Sequence, residues 1–219
     1  MTSATGYALA GAVFALAAVV NWWAVEARRR SAKVVAKPLA LAALVALALV
    51  GGAGADPAGR WLLLGLVLCL AGDIFLLFDT GRAFLGGLSS FLLGHLAYVA
   101  AFLVLGLSAP LWGLMSVVPL IGAVVVIRRV VPAANREGGA GLAGAVVAYV
   151  IVIGAMVVTA WMTGAWLTGL GATAFMVSDS VLAMNKFVRR SRHGDLAVMV
   201  TYHLGQAGIV LGVLSALTR

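Results

Sequence analysis

Two aspartates, Asp73 in LCLAGDIFLLF and Asp179 in ATAFMVSDSVLAM, are embedded in apolar runs long enough to be membrane-spanning helices. A carboxylate near the centre of such a helix costs roughly 2.5 to 3.5 kcal/mol on insertion scales, so acids in this setting belong to an internal site rather than to the lipid face. Two carboxyl groups sharing one low-dielectric pocket offer a definite chemistry. Desolvation and mutual repulsion keep a proton on one while hydrogen-bond donors hold the other ionised, which sets a general acid beside an anion.

Donors for that pocket are present. Phe91, His95 and Tyr98 form an i, i+4, i+7 stripe in SSFLLGHLAYVAAF, and Tyr202 and Gln206 lie one turn apart in VTYHLGQ, with His203 beside them. A lone intramembrane histidine more often packs than reacts; it is the combination with two acids that points to a site. Lys37, next to Pro38, together with Arg82, Asn185 and Lys186, is expected to ring the mouth, where basic side chains bind a phosphate head group. Gly65, Cys69 and Asp73, and likewise Thr168, Ala172, Phe175 and Asp179, form stripes that allow close helix approach and turn the acids into the bundle.

No metal or other cofactor is expected. The two Asp and two His lack the close spacing of a helical metal motif and sit on four different segments. No Gly-x-Ser-x-Gly elbow exists, so Ser89, Ser90, Ser178 and Ser180 read as packing residues.

The elements that must position these groups follow from composition. The 219 residues are 63% hydrophobic and only 10% charged, against about 25% charged in globular domains, so the chain is all-α, a polytopic membrane bundle forming a single transmembrane domain over 1–219. Apolar runs at 5–25, 37–52, 59–78, 84–106, 109–127, 142–160, 165–185 and 196–217 predict about eight helices. The N-terminal segment lacks a basic n-region and carries its arginines after the apolar run, which predicts a retained first helix. Cys69 is the single cysteine, so no intramolecular disulfide forms.

The net charge of +8 reflects topology rather than a nucleic-acid partner. Alternate loops hold Arg28, Arg29, Arg30, Lys33 and Lys37; Arg82; Arg128, Arg129 and Arg136; and Lys186, Arg189, Arg190 and Arg192, while Arg60 and Arg219 fall on the other side. The positive-inside rule makes the first set cytoplasmic, with both termini outside, and places both acids roughly 8 to 10 Å inside the cytoplasmic boundary. GDIFL and SDSVL share a pattern, Asp179 follows Asp73 by 106 positions, and His203 follows His95 by 108. These intervals suggest two parallel four-helix repeats related by an axis along the membrane normal.

The segments GDIFLLF, SSFLLGHLAYVAAF, FMVSDSVLAMNKF and VMVTYHLGQAGIV resemble the signature segments of the YhhN-type lysoplasmalogenases, integral membrane proteins, from about Lys37 to the C-terminus. The resemblance implies hydrolysis of the vinyl ether bond of a lysoplasmalogen, a lysophospholipid drawn from membrane lipids, to a fatty aldehyde and glycerophosphoethanolamine or glycerophosphocholine. It implies Asp73 and Asp179 as the catalytic acids, with His95, Tyr98, Asn185, Tyr202 and Gln206 in the polar lining. The expected location is a bacterial-type plasma membrane, with the site opening toward the cytoplasm. A different class of function, a proton-coupled transporter or lipid-handling protein, would use the same acid pair as a proton carrier. Broken helices would favour transport, and the Asp segments contain Gly72 and Gly171 but no proline.

Overall fold

Hydrocarbon offers no partner for a backbone N–H or C=O, so a chain this apolar closes its hydrogen bonds within helices. The computed structural model describes residues 3–218, and over them the elements are α1 (Ser3–Glu26), α2 (Arg30–Val50), α3 (Pro57–Phe75), α4 (Gly81–Leu105), α5 (Val117–Met162), α6 (Trp166–Phe187) and α7 (Gly194–Leu217). Among the described residues, seven helices are long and apolar enough to cross a membrane. Local signals fix their ends. Asp56 caps α3 by accepting from the Ala58 N–H at 2.7 Å, with Pro57 in the first turn, and Thr80 caps α4 by accepting from the Ala83 N–H at 3.2 Å.

The 46 residues of α5 would extend about 69 Å at 1.5 Å per residue, far beyond one hydrocarbon thickness. The helix is interrupted at Gly138 (φ −138°, ψ 18°) and Gly139 (φ 69°, ψ −169°), a backbone path that only glycine takes readily. The two halves fold back on each other. Just before α5, the Ala109 N–H donates to the Met162 carbonyl at 2.9 Å; Leu120 packs against Gly154, and Val130 clusters with Val146. With this reversal the seven helices make eight crossings, in line with the eight apolar runs.

Two boundaries differ from expectation. Arg128, Arg129 and Arg136 lie within α5 rather than in a loop, because a helix leaving the hydrocarbon keeps its internal hydrogen bonds and arginine is a good helix former. Helix α2 begins at Arg30 rather than near Lys37, and Pro38 is inside it. Lys37 therefore sits about 10 Å into the helix instead of at its mouth. Arg219 lies outside the described residues.

Consecutive helices pack in order, and α7 returns to α1, which closes the ring. The α6–α7 seam is the closest approach near the site: a Cβ added at Gly171 would sit 2.5 Å from the Ile209 amide nitrogen and 2.7 Å from the Gly205 carbonyl oxygen. The α3–α4 seam is similar, with Gly65 against the Gly94 carbonyl. These seams bring the inward faces of α3, α4, α6 and α7 into one core that includes Phe91, Tyr98, Phe175 and Tyr202.

Candidate functional site: two unequal carboxylates

Asp73 is completely buried near the end of α3, and two groups engage it. The Lys37 ammonium, 4% exposed, lies 2.9 Å from Oδ1, and the Tyr202 hydroxyl donates to Oδ2 at 2.8 Å. A relay supports Tyr202. The Tyr98 hydroxyl donates to Gln206 Oε1 at 2.6 Å, and Gln206 Nε2 donates to the Tyr202 hydroxyl at 3.4 Å. The stripes read from sequence thus do converge, but Lys37 does something other than expected. Its ammonium neutralises Asp73 inside the bundle, which takes it away from a phosphate at the membrane surface.

Asp179, midway along α6, has different surroundings. The Tyr149 hydroxyl donates to Oδ2 at 2.5 Å, and His95 Nε2 lies 3.9 Å from the same oxygen. Among the described residues no Lys or Arg forms an ion pair with it, and its side chain is 15% exposed. His95 is fully buried, with its ring edge-on to Phe175 at 4.7 Å and to Tyr149 at 5.2 Å between centroids. Neither of its ring nitrogens has a hydrogen-bond partner among the described residues.

The exposure of Asp179 is to an apolar cavity. Phe84, Leu88 and Phe91 of α4, Ile153 of α5 and Met176 of α6 line it, together with Tyr149 and Asp179. It is narrow, with a volume of about 80 Å³, it opens in part to the surroundings, and Lys186 stands at the basic end. Asp73 does not border this cavity. The contacts joining the two acids pass through an aromatic layer: the Tyr202 ring lies 5.2 Å from Phe175, and Phe91 lies 6.0 Å from Tyr202 and 6.2 Å from Phe175. The single shared pocket expected from the sequence is thereby resolved into a sealed ion pair and a carboxyl facing open space.

The same geometry carries the mark of the internal repeat. Counting α5 as two crossings, each acid lies on the third helix of its half. Each is held by a side chain from the second helix of its own half, Lys37 or Tyr149, and faces one from the fourth helix of the other half, Tyr202 in hydrogen-bond contact and His95 at 3.9 Å. Two halves related by an axis along the membrane normal would give such a crossed pattern. Lysine in one half and tyrosine in the other make the two sites chemically unequal.

Two expected lining residues work elsewhere. Asn185 Oδ1 accepts from the Ser191 N–H at 3.2 Å and holds the turn between α6 and α7. His203 Nδ1 accepts from Trp22 Nε1–H at 2.9 Å and ties α7 to α1. Asn185 braces the end of α6 and His203 joins the bodies of two helices, and neither is brought to a carboxylate. Conversely, sequence reading passes over Tyr149. Its signal was its position 112 residues after Lys37, close to the intervals of the repeated Asp and His. Among the described residues no three His, Cys, Asp or Glu side chains converge as a metal site would require.

Chemically, Asp179 presents one oxygen occupied by a tyrosine hydroxyl and another free to carry a proton at the wall of a lipid-like cavity. No curated protein and no solved structure matches the chain significantly. The sequence profile of the YhhN family does match, over residues 32–213, a span that contains both acids, the aromatic layer and the residues that engage them, so the chain belongs to the YhhN family.

Proposed function

We propose that this protein is a membrane hydrolase that cleaves the vinyl ether bond of lysoplasmalogens, with Asp179 as the proton donor. The observation that carries the reading is the placement of a carboxyl without a cationic partner on the wall of a narrow apolar cavity that opens to the surroundings, where an alkyl chain could lie partly in the cavity and partly along the bundle surface. Family membership fits a hydrolase.

Hydrolysis of a vinyl ether starts with slow transfer of a proton to the alkene carbon distal to oxygen. A C–H bond forms, the Asp179 O–H bond breaks, and the electron pair of the alkene leaves an oxocarbenium ion. The Asp179 carboxylate then faces the cation it has created, stabilises it and orients a water. Water adds to the cationic carbon and gives its proton back to Asp179. The resulting hemiacetal collapses to a fatty aldehyde and a glycerol hydroxyl, so one water is consumed and the acid is regenerated. Tyr149 fixes the carboxyl by donating to Oδ2, which leaves Oδ1 for the transferred proton.

Asp73 takes a positioning part in this scheme. Paired with Lys37, it has little net charge to offer a cation, but it fixes Tyr202, whose ring supports Phe175 and Phe91 behind the cavity. The basic end of the bundle faces the cytoplasm of a bacterial-type plasma membrane by the positive-inside rule, and the lipid enters from that leaflet. The test is incubation of purified protein with a vinyl ether lysolipid in deuterated water. One deuterium is expected on the carbon next to the aldehyde, and none of the saturated ether analogue is cleaved. Absence of aldehyde, or aldehyde without deuterium on that carbon, overturns the proposal.

A further inference from the structure

Lys186 and Glu137 form an ion pair at the basic end of the cavity, with Nζ 3.1 Å from Oε1 and side chains 40% and 46% exposed. Lys186 lines the same cavity as Asp179, seven residues further along α6, a rise of about 10 Å. Glu137 is the last residue before the Gly138–Gly139 reversal, so its pairing with Lys186 sets the tip of the α5 hairpin beside a residue that lines the cavity. The Lys186 ammonium also lies 5.2 Å from the centre of the Phe84 ring, which lines the cavity as well.

We infer that this pair is a head-group site that selects zwitterionic lysophospholipids over anionic ones, an inference that rests on the lipid-hydrolase reading above. The distances fit. Five bonds separate the ether oxygen of a glycerolipid from its phosphorus, about 6 Å when extended, and the lysine side chain spans the remainder of the rise. With the ether at Asp179, the phosphate meets Lys186.

The charges fit as well. A phosphate that engages Lys186 displaces the Glu137 carboxylate, which then has no cation of its own. The ammonium of a phosphoethanolamine or phosphocholine head supplies one. Two opposite charges of the protein meet two opposite charges of the ligand, and none is left unmatched. A head group with a phosphate alone strands Glu137 beside a like charge, which is the repulsive element that specificity requires.

The test measures binding rather than turnover, so it stands apart from whether hydrolysis occurs. Saturated alkyl-ether lysolipids bearing phosphoethanolamine or phosphoglycerol, neither of which contains a vinyl ether, are titrated into the purified protein and followed by native mass spectrometry. The wild-type protein is expected to favour the ethanolamine form by about tenfold. Glu137→Gln is expected to weaken the ethanolamine form about fivefold and bring the two lipids near parity, while Lys186→Gln weakens both. Both side chains are solvent-exposed, and an unchanged melting temperature verifies folding. Equal binding of the two lipids by the wild type, or an unchanged preference in Glu137→Gln, overturns the inference. A failure to release aldehyde in the separate activity assay would overturn the hydrolase reading alone.

Discussion

Removing the charge of Lys37 is predicted to cost far more stability than removing it together with that of Asp73. The two side chains are 5% and 0% exposed, and their charged atoms lie 2.9 Å apart. At an effective dielectric of about 20 their attraction is about 6 kcal/mol before desolvation is counted. Desolvation offsets most of that, so the pair itself adds little net stability, but either charge left alone in the bundle is strongly unfavourable. Lys37→Met and Asp73→Asn are each expected to destabilise by about 3 to 5 kcal/mol, a fall in melting temperature on the order of 10 °C. The double variant is expected to recover most of the loss, because no isolated charge remains. Thermal unfolding in detergent, followed by tryptophan fluorescence, measures all three. If the two single losses simply add in the double variant, the residues are energetically independent and the ion pair is not what holds Asp73.

Two further outcomes follow from the packing. Gly171→Ala forces a methyl group into the backbone of α7 at Ile209 and Gly205, neither of which can rotate away, and should lower stability by 3 kcal/mol or about that, with loss of folded yield in detergent as the readout. Val126→Trp fills the cavity from its α5 wall, on a different helix from the acid, and is expected to lower kcat/KM for a long-chain vinyl ether lysolipid by about tenfold while the melting temperature stays near that of the wild type. Full activity in this variant would place the alkyl chain somewhere else.

The helices were legible in the sequence because hydropathy reports the membrane directly, and the fold-back at Gly138–Gly139 brings the crossing count to that of the apolar runs. The acids, His95, Tyr98, Tyr202 and Gln206 were legible because polar groups inside such runs have few roles, and the helical stripes placed them on inward faces. Lys37 was misread for a physical reason. A basic residue next to a proline looks like the start of a helix at the membrane surface, yet Pro38 is accommodated within α2 and the lysine is drawn inward by Asp73. The cavity was invisible because its lining, Leu88, Val126, Ile153 and Met176 among others, has the composition of a lipid-facing surface. Which apolar faces meet one another and which leave a gap depends on how α4, α5 and α6 pack, and that is not a property of any one segment. The inequality of the two acids turned on Tyr149, a tyrosine whose role emerges only when its helix is set opposite α6.

The central claim is that the cavity-facing carboxyl performs the chemistry and the sealed one does not. The most direct measurement is turnover of a vinyl ether lysolipid, read as released aldehyde, by folded Asp179→Asn and Asp73→Asn proteins side by side. Asp179→Asn is expected to lose about 10² to 10⁴-fold, and whatever Asp73→Asn protein remains folded is expected to turn over within about tenfold of wild type. Near-normal aldehyde release by Asp179→Asn would contradict the claim.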